Sequence, residues 1–398
     1  MRAAKLKAPS SWVRRIDRED MNLTFGIEEE FFVVCGATQA LQSHAHSSFL
    51  ARARELSGDG ISREMLQSQV EIATPICRDF VEARSHLQRL RGVLGQAGRE
   101  SGLSIIAAGT HPTADWPQQV QTEKKRYDAV MAELQILGFR NLVCGMHVHV
   151  EIPDEDLRID VMRRVIPFLP ILLALSTSSP FWRGMNTGFS SYRLTSYDEL
   201  PRTGLPPLFA DWDDYQAYVA KLRDAGVIRD ASYIWWAIRP SMKYRTLELR
   251  MADACTSLED AITIAALYRC LVRALILDRT INSNIGSPER GLARENKWRV
   301  QRFGLHTELV DPFGERTAID TPAAVHRLLE MLHDHAVALD CVAEVEAAKS
   351  ILHRGTSADR QLAIYETAIA SGSEPRQALT KVEGWLQEET LACCVAMA

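Results

Sequence analysis

The sequence predicts an α+β fold, in which an antiparallel sheet carries helices on one side and at the C-terminal end. Three observations lead to this prediction. Strand and helix patterns follow each other without a regular βαβ alternation, several strands carry polar residues at every second position, and the chain reads as helical from Thr321 onward. The 398 residues are 46% hydrophobic and 24% charged, which is typical of a globular protein with a large core. Disordered and fibrous classes are excluded.

Charge and composition also limit the partners and the compartment. Residues 1–20 are basic and lack the apolar stretch of a secretion signal, so we expect a flexible tail before one domain over residues 21–398. The net charge is −5 and no long basic run occurs, so nucleic acid is not an expected partner. The most apolar stretch, Val165–Leu175, is too short for a membrane span, which needs about 20 residues. Eight cysteines without a CxxC pair indicate a reducing, cytoplasmic environment.

The first half of the domain has strand patterns on both sides of one helix. Apolar residues recur at spacings of three and four over Phe80–Arg99, which predicts a helix with one apolar face. The predicted strands around it are Leu23–Val34, Met65–Ile72, Leu103–Ala108 and Leu142–Ile152.

The second half begins with a segment rich in Ser, Thr, Gly, Pro and aromatic residues, Ser176–Pro207. We expect a long functional loop that orders when a ligand binds. Tyr233–Met251 predicts a strand pair around Pro240, and Ser257 precedes an apolar helix from Leu258 to about Ile281. Thr321 is the predicted N-cap of the helical C-terminal region, with Pro322 at the first helical position.

Polar pairs at positions i and i+2 are the strongest indication of chemistry, because such residues point to the same side of a strand. The four pairs are Glu28 with Glu30, Gln69 with Glu71, His147 with His149, and Glu248 with Arg250. If these strands share one sheet, their carboxylates converge and repel each other unless cations neutralise them. Oxygen-rich sites of this kind suit Mg²⁺ or Mn²⁺ and phosphoryl transfer. Glu29 points to the other side and is not expected to be catalytic.

Other polar motifs are weaker. Any single i, i+2 pair is more often a solvated strand face than a site. Two further motifs, His44-x-His46 and His333-x-His335, lack strand context, and Cys144 with His147 lacks a second pair with zinc-ligand spacing. No P-loop motif is present. Several basic residues are candidates for binding nucleotide phosphates or a substrate carboxylate, although a surface role fits each one equally well: Arg183, Arg193, Arg202, Lys243 and Arg250.

Several motifs, in order along the chain, carry a resemblance to a known family. They are TFGIEEEF, the Gln69-Val70-Glu71 strand leading into Thr74-Pro75, AAGTHP, CGMHVHV, SSPFWRGMNTGFSSYR, WWAIRP, TLELRMAD, RENKW and RGTSADRQ. With these motifs the sequence resembles the carboxylate-amine ligases, also called glutamate-cysteine ligase type 2, from about Leu23 to Gln361. The resemblance implies a glutamine-synthetase-like fold, in which a curved antiparallel sheet holds ATP and Mg²⁺, with Mn²⁺ as a substitute. It also implies small-molecule substrates and a homodimer.

The resemblance assigns roles to individual residues. The implied metal ligands are Glu28, Glu30, Glu64, Glu71, His147 and Glu248, and Arg250 is similar to the family's arginine near the transferred phosphate. Glu28, Glu248 and Arg250 are the predicted catalytic residues, and Arg183, Arg193 and Lys243 are the predicted cofactor-binding residues. Glutamate is the expected carboxylate, and cysteine a candidate amine in a weak glutamate-cysteine ligase activity.

Two alternatives stay open at this point. A metal-dependent hydrolase would bind Zn²⁺ through His147 and His149, but it would leave the carboxylate-bearing strands without a role. A non-catalytic protein that binds a nucleotide or an amino acid would use the same sheet without turnover.

Overall fold

The centre of the fold is an antiparallel sheet of seven strands. The computed structural model describes residues 21–44, 47–315, 317–392 and 394, so the predicted tail over residues 1–20 and the second histidine of His44-x-His46 lie outside it. The sheet strands are β1 (Phe25–Cys35), β2 (Ile61–Arg63), β3 (Gln69–Ala73), β4 (Leu103–Ile106) and β5 (Met146–Glu151). Four short strands follow, β6 (Phe181–Trp182), β7 (Met185–Asn186), β8 (Ile238–Pro240) and β9 (Thr246–Leu249), and then β10 (Glu308–Val310) and β11 (Ala318–Asp320). The order in the large sheet is β2-β3-β1-β5-β9-β8, with β4 also paired to β1.

Alternation along β1 separates the two faces of the sheet. Phe25 packs against Phe80 with ring centroids 4.5 Å apart, and Phe31 lies under the guanidinium of Arg91. These contacts place the odd-numbered residues of this part of β1 on the helical side. Glu28 and Glu30, two residues apart, therefore point to the opposite face.

Helices cover one face of the sheet and build the C-terminal region. They are α1 (Ser47–Ser57), α2 (Phe80–Ser101), α3 (Lys125–Leu134), α4 (Ile136–Arg140), α5 (Glu155–Val165), α6 (Leu169–Ser176), α7 (Tyr192–Tyr197) and α8 (Trp212–Asp224). The later helices are α9 (Leu258–Leu277), α10 (Ser287–Phe303), α11 (Thr321–Ala338), α12 (Val342–Glu346), α13 (Ala348–Arg354), α14 (Ser357–Ala370) and α15 (Pro375–Leu391). A continuous cluster of buried apolar side chains extends from Met21 to Leu386. The predicted α+β class and helical C-terminal region are confirmed.

Local signals determine where the two core helices begin and end. Asp79 caps α2 by accepting a hydrogen bond from the backbone N–H of Glu82 at 2.8 Å, and Gly102 ends the helix with a φ of 69°. Ser257 is the N-cap of α9, as predicted, although its side chain makes no capping hydrogen bond. Almost every residue of α9 is buried, which explains its apolar composition.

Some predicted boundaries are wrong. The strands predicted from Met65 and Leu142 begin at Gln69 and Met146, because the residues before them bond outside the sheet: the backbone N–H of Cys144, for example, donates to Gly109. The N-cap of α11 is Asp320 and not Thr321. The Asp320 carboxylate accepts from the N–H of Ala323, whereas the Thr321 hydroxyl donates to the carbonyl of Thr307.

The Ser176–Pro207 segment is not the irregular loop that its composition predicts. It contains the β6–β7 hairpin and α7, and several of its aromatic and apolar side chains are buried, among them Phe181, Trp182 and Leu194. The segment is rich in Gly and Ser, which favour loops, but burial of its aromatic and apolar side chains stabilises a packed structure.

No helix in the part of the chain that the structure covers is both long and apolar enough to cross a membrane.

Candidate active site

Polar side chains of neighbouring strands converge on the sheet face opposite α2. In the register of the sheet, Glu30 lies opposite Glu71. Glu28 lies opposite His147, and His149 lies opposite Glu248. The alignment predicted from the i, i+2 pairs is therefore present, because antiparallel pairing brings residues of the same face side by side.

The histidines of β5 lie against the carboxylate of Glu28. His147 Nδ1 is 3.2 Å from Glu28 Oε2, and His149 Nε2 is 3.4 Å from Glu28 Oε1. The Nε2 atoms of both histidines are buried without a hydrogen-bond partner. Buried polar atoms without a partner are uncommon in proteins, and a metal ion is one partner that such nitrogens accept.

Three groups of side chains have the ligand atoms that a metal ion needs. Within each group these atoms lie within 4.8 Å of one another. The groups are Glu28 with Glu71 and His147, Glu28 with His149 and Glu248, and Glu30 with Glu64 and Glu71. Carboxylates predominate and no group has more than one histidine, so these donors suit a hard cation such as Mg²⁺ better than Zn²⁺. The described residues thus lack the nitrogen-rich set that the hydrolase alternative requires.

The acidic groups differ in protonation because their neighbours differ. Burial, followed by the Glu30 carboxylate, raises the pKa of Glu64 to about 7. Burial and the Glu64 carboxylate also raise the pKa of Glu71 well above its ordinary value. Burial alone would raise the pKa of Glu28, but the close contacts of its carboxylate with His147 and His149 hold that pKa well below its ordinary value. Without a cation, Glu64 and Glu71 therefore bind their protons more tightly than ordinary glutamates do, whereas Glu28 binds its proton more weakly.

Two arginines neutralise Glu248 at the other end of the face. Arg239 Nε lies 2.8 Å from Glu248 Oε2, and Arg250 pairs with Glu248 Oε1. Burial would raise the pKa of Glu248, but Arg239 and Arg250 lower it well below its usual range. Arg250 also donates to the hydroxyl of Tyr197 at 3.2 Å.

A cavity of about 350 Å³ opens above this face. Its lining includes the acidic residues Glu30, Glu64 and Glu71, the aromatic residues Tyr127, Tyr197 and Trp235, and the basic residues Arg63, Lys124, Arg126, Arg193, Arg239 and Arg250. A lining that contains both carboxylates and cations can hold both metal ions and anionic substrates.

The structure separates the three predicted cofactor-binding residues. Arg193 is buried and lines the cavity. Arg183 lies at the exposed turn between β6 and β7, where its Nε is 2.8 Å from Asp115 Oδ1, so it does not reach the cavity. Lys243 lies in the exposed loop between β8 and β9 over the ring of Tyr244, and it is not among the lining residues. Neighbouring Tyr244 packs edge-on against His149.

Sequence reasoning missed Arg239, although a signal for it existed. Arg239 is a charged residue within the apolar strand β8, and pairing with β9 places it directly opposite Glu248. It also missed Ser62, whose hydroxyl donates to Glu71 Oε1 at 2.9 Å from the short strand β2. The pair of Gln69 with Glu71 differs in part from the prediction, since the Gln69 side chain is buried and donates to the Val143 carbonyl.

Comparisons with known proteins agree with this geometry. Residues 24–380 match the model of glutamate-cysteine ligase family 2 (GCS2). A protein of Bradyrhizobium sp. (strain BTAi1) named "Putative glutamate--cysteine ligase 2" is 43% identical over 369 residues, which cover 93% of this chain and 88% of that protein. A protein of the same name from Rhodospirillum rubrum is 44% identical over 373 residues, with 93% of this chain and 96% of that protein covered.

Two solved structures share the fold. The glutamate-cysteine ligase of Francisella tularensis, solved in complex with AMP, superposes with a TM-score of 0.68 at 13% identity over 93% of this chain and 89% of that chain. A bifunctional glutathione synthetase from Pasteurella multocida has a TM-score of 0.68 at 15% identity over 92% of this chain and 52% of that chain. With the family match over nearly the whole chain, the conclusion is that this protein belongs to glutamate-cysteine ligase family 2.

Proposed function

We propose that the protein is an ATP-dependent ligase that activates a carboxylate, with glutamate as the first candidate, and joins it to an amine. The observation that carries this proposal is the convergence of three carboxylate-rich groups on one face of the sheet, beside a cavity that three of their carboxylates share with six cationic side chains. Membership of the family and the AMP complex of the Francisella enzyme support ATP as the nucleotide.

The residues fit a divalent cation, because buried histidine nitrogens without partners face clustered carboxylates. The residues that would hold Mg²⁺, or Mn²⁺ in its place, are Glu28, Glu30, Glu64, Glu71, His147 and Glu248. When bound, the cation would neutralise charge on the phosphate oxygens.

The proposed reaction has two steps. An oxygen of the glutamate γ-carboxylate attacks the γ-phosphorus of ATP, ADP leaves, and an acyl phosphate forms. The amine then attacks the acyl carbon and loses a proton, and phosphate leaves with formation of the amide. Arg250, which lines the cavity beside Glu248, is positioned to bind the phosphate being transferred. Glu248 in turn holds the guanidinium of Arg250 in place.

Release of ADP tests the proposal. Purified protein is mixed with ATP, Mg²⁺ and L-glutamate, with and without a panel of amines that begins with L-cysteine. We expect continued ADP formation, beyond one ADP per enzyme molecule, only when both the carboxylate and the amine are present. If nucleotide binds but no pair of substrates gives ADP, the ligase proposal fails and the non-catalytic binding protein takes its place.

A further inference from the structure

Asp253 is a buried carboxylate that lies beyond the end of β9, outside the candidate metal groups. Its side chain is fully buried. Oδ2 accepts from the backbone N–H of Ser178 at 3.1 Å and from the hydroxyl of Ser179 at 2.7 Å. Oδ1 accepts from the hydroxyl of Ser191 at 2.8 Å. These three donors all belong to the segment that carries Arg193, so Asp253 connects β9 to that segment.

One of the two serine hydroxyls continues the connection to Arg193. The Ser179 hydroxyl donates to Asp253 and accepts from the backbone N–H of Arg193 at 3.0 Å. The Ser191 hydroxyl also donates to Asp253, but the structure shows no bond from it to Arg193. The Asp253 carboxylate therefore holds the Ser179 hydroxyl, and that hydroxyl holds the backbone N–H of Arg193.

The side chain of Arg193 then passes directly over Gly145. A Cβ atom on Gly145 would be 2.1 Å from Arg193 Nη2, so only glycine leaves room for the guanidinium. The backbone N–H of Gly145 donates to Glu30 Oε2 at 2.6 Å. Arg193 is thus held beside the Glu30–Glu64–Glu71 end of the cavity.

The charge of Arg193 is incompletely compensated. The side chain is 1% exposed, and its hydrogen bonds to the carbonyls of Arg250 and Met251 are long, at 3.4–3.5 Å. Its Nε has no partner, and no described carboxylate lies within ion-pair distance of it. Arg239 and Arg250, in contrast, share Glu248. Its Cζ lies 5.3 Å from the ring centroid of Tyr197, and the charge of Asp253 acts on it only from beyond ion-pair distance. A buried guanidinium that makes no ion pair and lines a cavity is suited to bind an anion.

We propose that Arg193 binds a carboxylate of the amino-acid substrate and that Asp253 is the positioning residue for it, acting through Ser179. This inference rests on the proposed ligase function for the identity of the ligand. The residue that would bind the substrate thus comes from α7 and not from one of the strands that carry the candidate metal ligands.

The two serines provide a matched test. Ser179→Ala and Ser191→Ala each remove one hydroxyl donor from Asp253, but only Ser179→Ala breaks the connection to Arg193. Affinities for L-glutamate and for a non-hydrolysable ATP analogue are measured by calorimetry with Mg²⁺, together with the melting temperature of each variant. We expect Ser179→Ala to weaken glutamate binding about tenfold, which corresponds to one hydrogen-bonded ionic contact out of place. We expect Ser191→Ala to leave glutamate affinity within about twofold of wild type, and both variants to retain nucleotide affinity.

Arg193→Ala leaves the Asp253 network in place and should abolish measurable glutamate binding, while nucleotide still binds. Equal glutamate affinities in the two serine variants would overturn the positioning role of Asp253, because a structural role alone affects both alike. Failure of wild-type protein to bind glutamate, or undiminished binding by Arg193→Ala, would overturn the assignment of Arg193. If glutamate binding follows the expected order but wild-type protein forms no ADP, the inference stands and the proposed function fails.

Discussion

Glu28 and Glu29 are neighbours in β1 with opposite environments. Glu28 faces the cavity side of the sheet and contacts both histidines of β5. Glu29 is buried on the helical side, where it forms a two-point ion pair with Arg91 at 2.6 and 2.9 Å. Arg91 also donates to the backbone carbonyls of Cys255, Thr256 and Thr390, so Glu29 compensates a cation that joins three parts of the chain.

Loss of either candidate metal ligand, Glu28 or Glu248, should abolish activity without unfolding the protein. Glu28→Gln removes a charge that would compensate bound cations, and Glu248→Gln also removes the counter-ion of Arg239 and Arg250, so we expect ADP formation to fall about 10²-fold or more in both variants and the melting temperature to fall further in Glu248→Gln. The measurements are ADP release at moderate Mg²⁺ and the melting temperature. Turnover at the wild-type rate in either variant would rule out the metal assignment of that residue.

Loss of the Glu29 charge should have the reverse effect. In Glu29→Gln the buried Arg91 loses its counter-ion, which should lower the free energy of unfolding by about 3 kcal/mol and the melting temperature by several degrees. Turnover per folded molecule at 25 °C should be close to that of wild type. A Glu29→Gln protein that melts like wild type but is inactive would mean that β1 presents its other face to the cavity.

At the scale of the elements, β1, the turn after β2 and β3 bring Glu30, Glu64 and Glu71 together at one end of the face. Since the pKa of Glu64 is raised to about 7 in the fold, the folded state binds its proton more tightly than the unfolded chain does. The stability that this proton contributes is complete below the ordinary glutamate pKa and is lost as the pH rises through about 7.

We therefore expect the metal-free protein to lose stability between about pH 5 and pH 8, by up to about 3 kcal/mol from Glu64. Mg²⁺ should restore it at pH 8, because a ligand of the folded state stabilises that state. Thermal unfolding in EDTA and in Mg²⁺ across this pH range measures both effects. The control is Glu64→Gln, which cannot ionise and should reduce the pH dependence. An identical pH profile in Glu64→Gln and wild type would contradict the account.

The Ser176–Pro207 segment should behave as a packed element and not as a lid. Its hairpin and α7 are held by buried aromatic side chains and by the bonds to Asp253, so we expect trypsin to cut it slowly both with and without ATP, Mg²⁺ and glutamate. The exposed loop between β8 and β9, which contains Lys243 and Arg245, is the internal comparison and should be cut first. Rapid cutting after Arg193 or Arg202 that ligands suppress would instead support the predicted loop that orders when a ligand binds.

At the scale of the whole molecule, the parts of the site that follow from strand periodicity were predictable. The period of two alone puts Glu28 with Glu30 and His147 with His149, and it separates Glu29 from them. Residues whose roles depend on the register of a strand pair were not: Arg239 is significant because the β8–β9 hairpin places it opposite Glu248. The role of Asp253 could not be predicted either, because it depends on the path of the Ser176–Pro207 segment, which its composition predicts to be a loop.

The positions of side chains in turns could not be predicted from the sequence either. Arg183 and Lys243 have the right chemistry for anion binding, but the direction of a side chain in a turn depends on backbone angles and contacts that local sequence does not determine. In this protein Arg183 has a φ of 51° and pairs with Asp115. Arg193, from the same segment, reaches the cavity because Gly145 leaves space for it.

Transfer of an oxygen atom from glutamate to phosphate tests whether the carboxylate is activated as an acyl phosphate. L-Glutamate labelled with ¹⁸O in its γ-carboxylate is incubated with the protein, ATP, Mg²⁺ and the amine that gives the most ADP, and the released phosphate is analysed by mass spectrometry. We expect one ¹⁸O atom in each phosphate formed, because the attacking carboxylate oxygen leaves with the phosphoryl group of the acyl phosphate. Phosphate that carries no label, while ADP and amide accumulate, would show that the carboxylate is not activated by phosphorylation and would contradict the account.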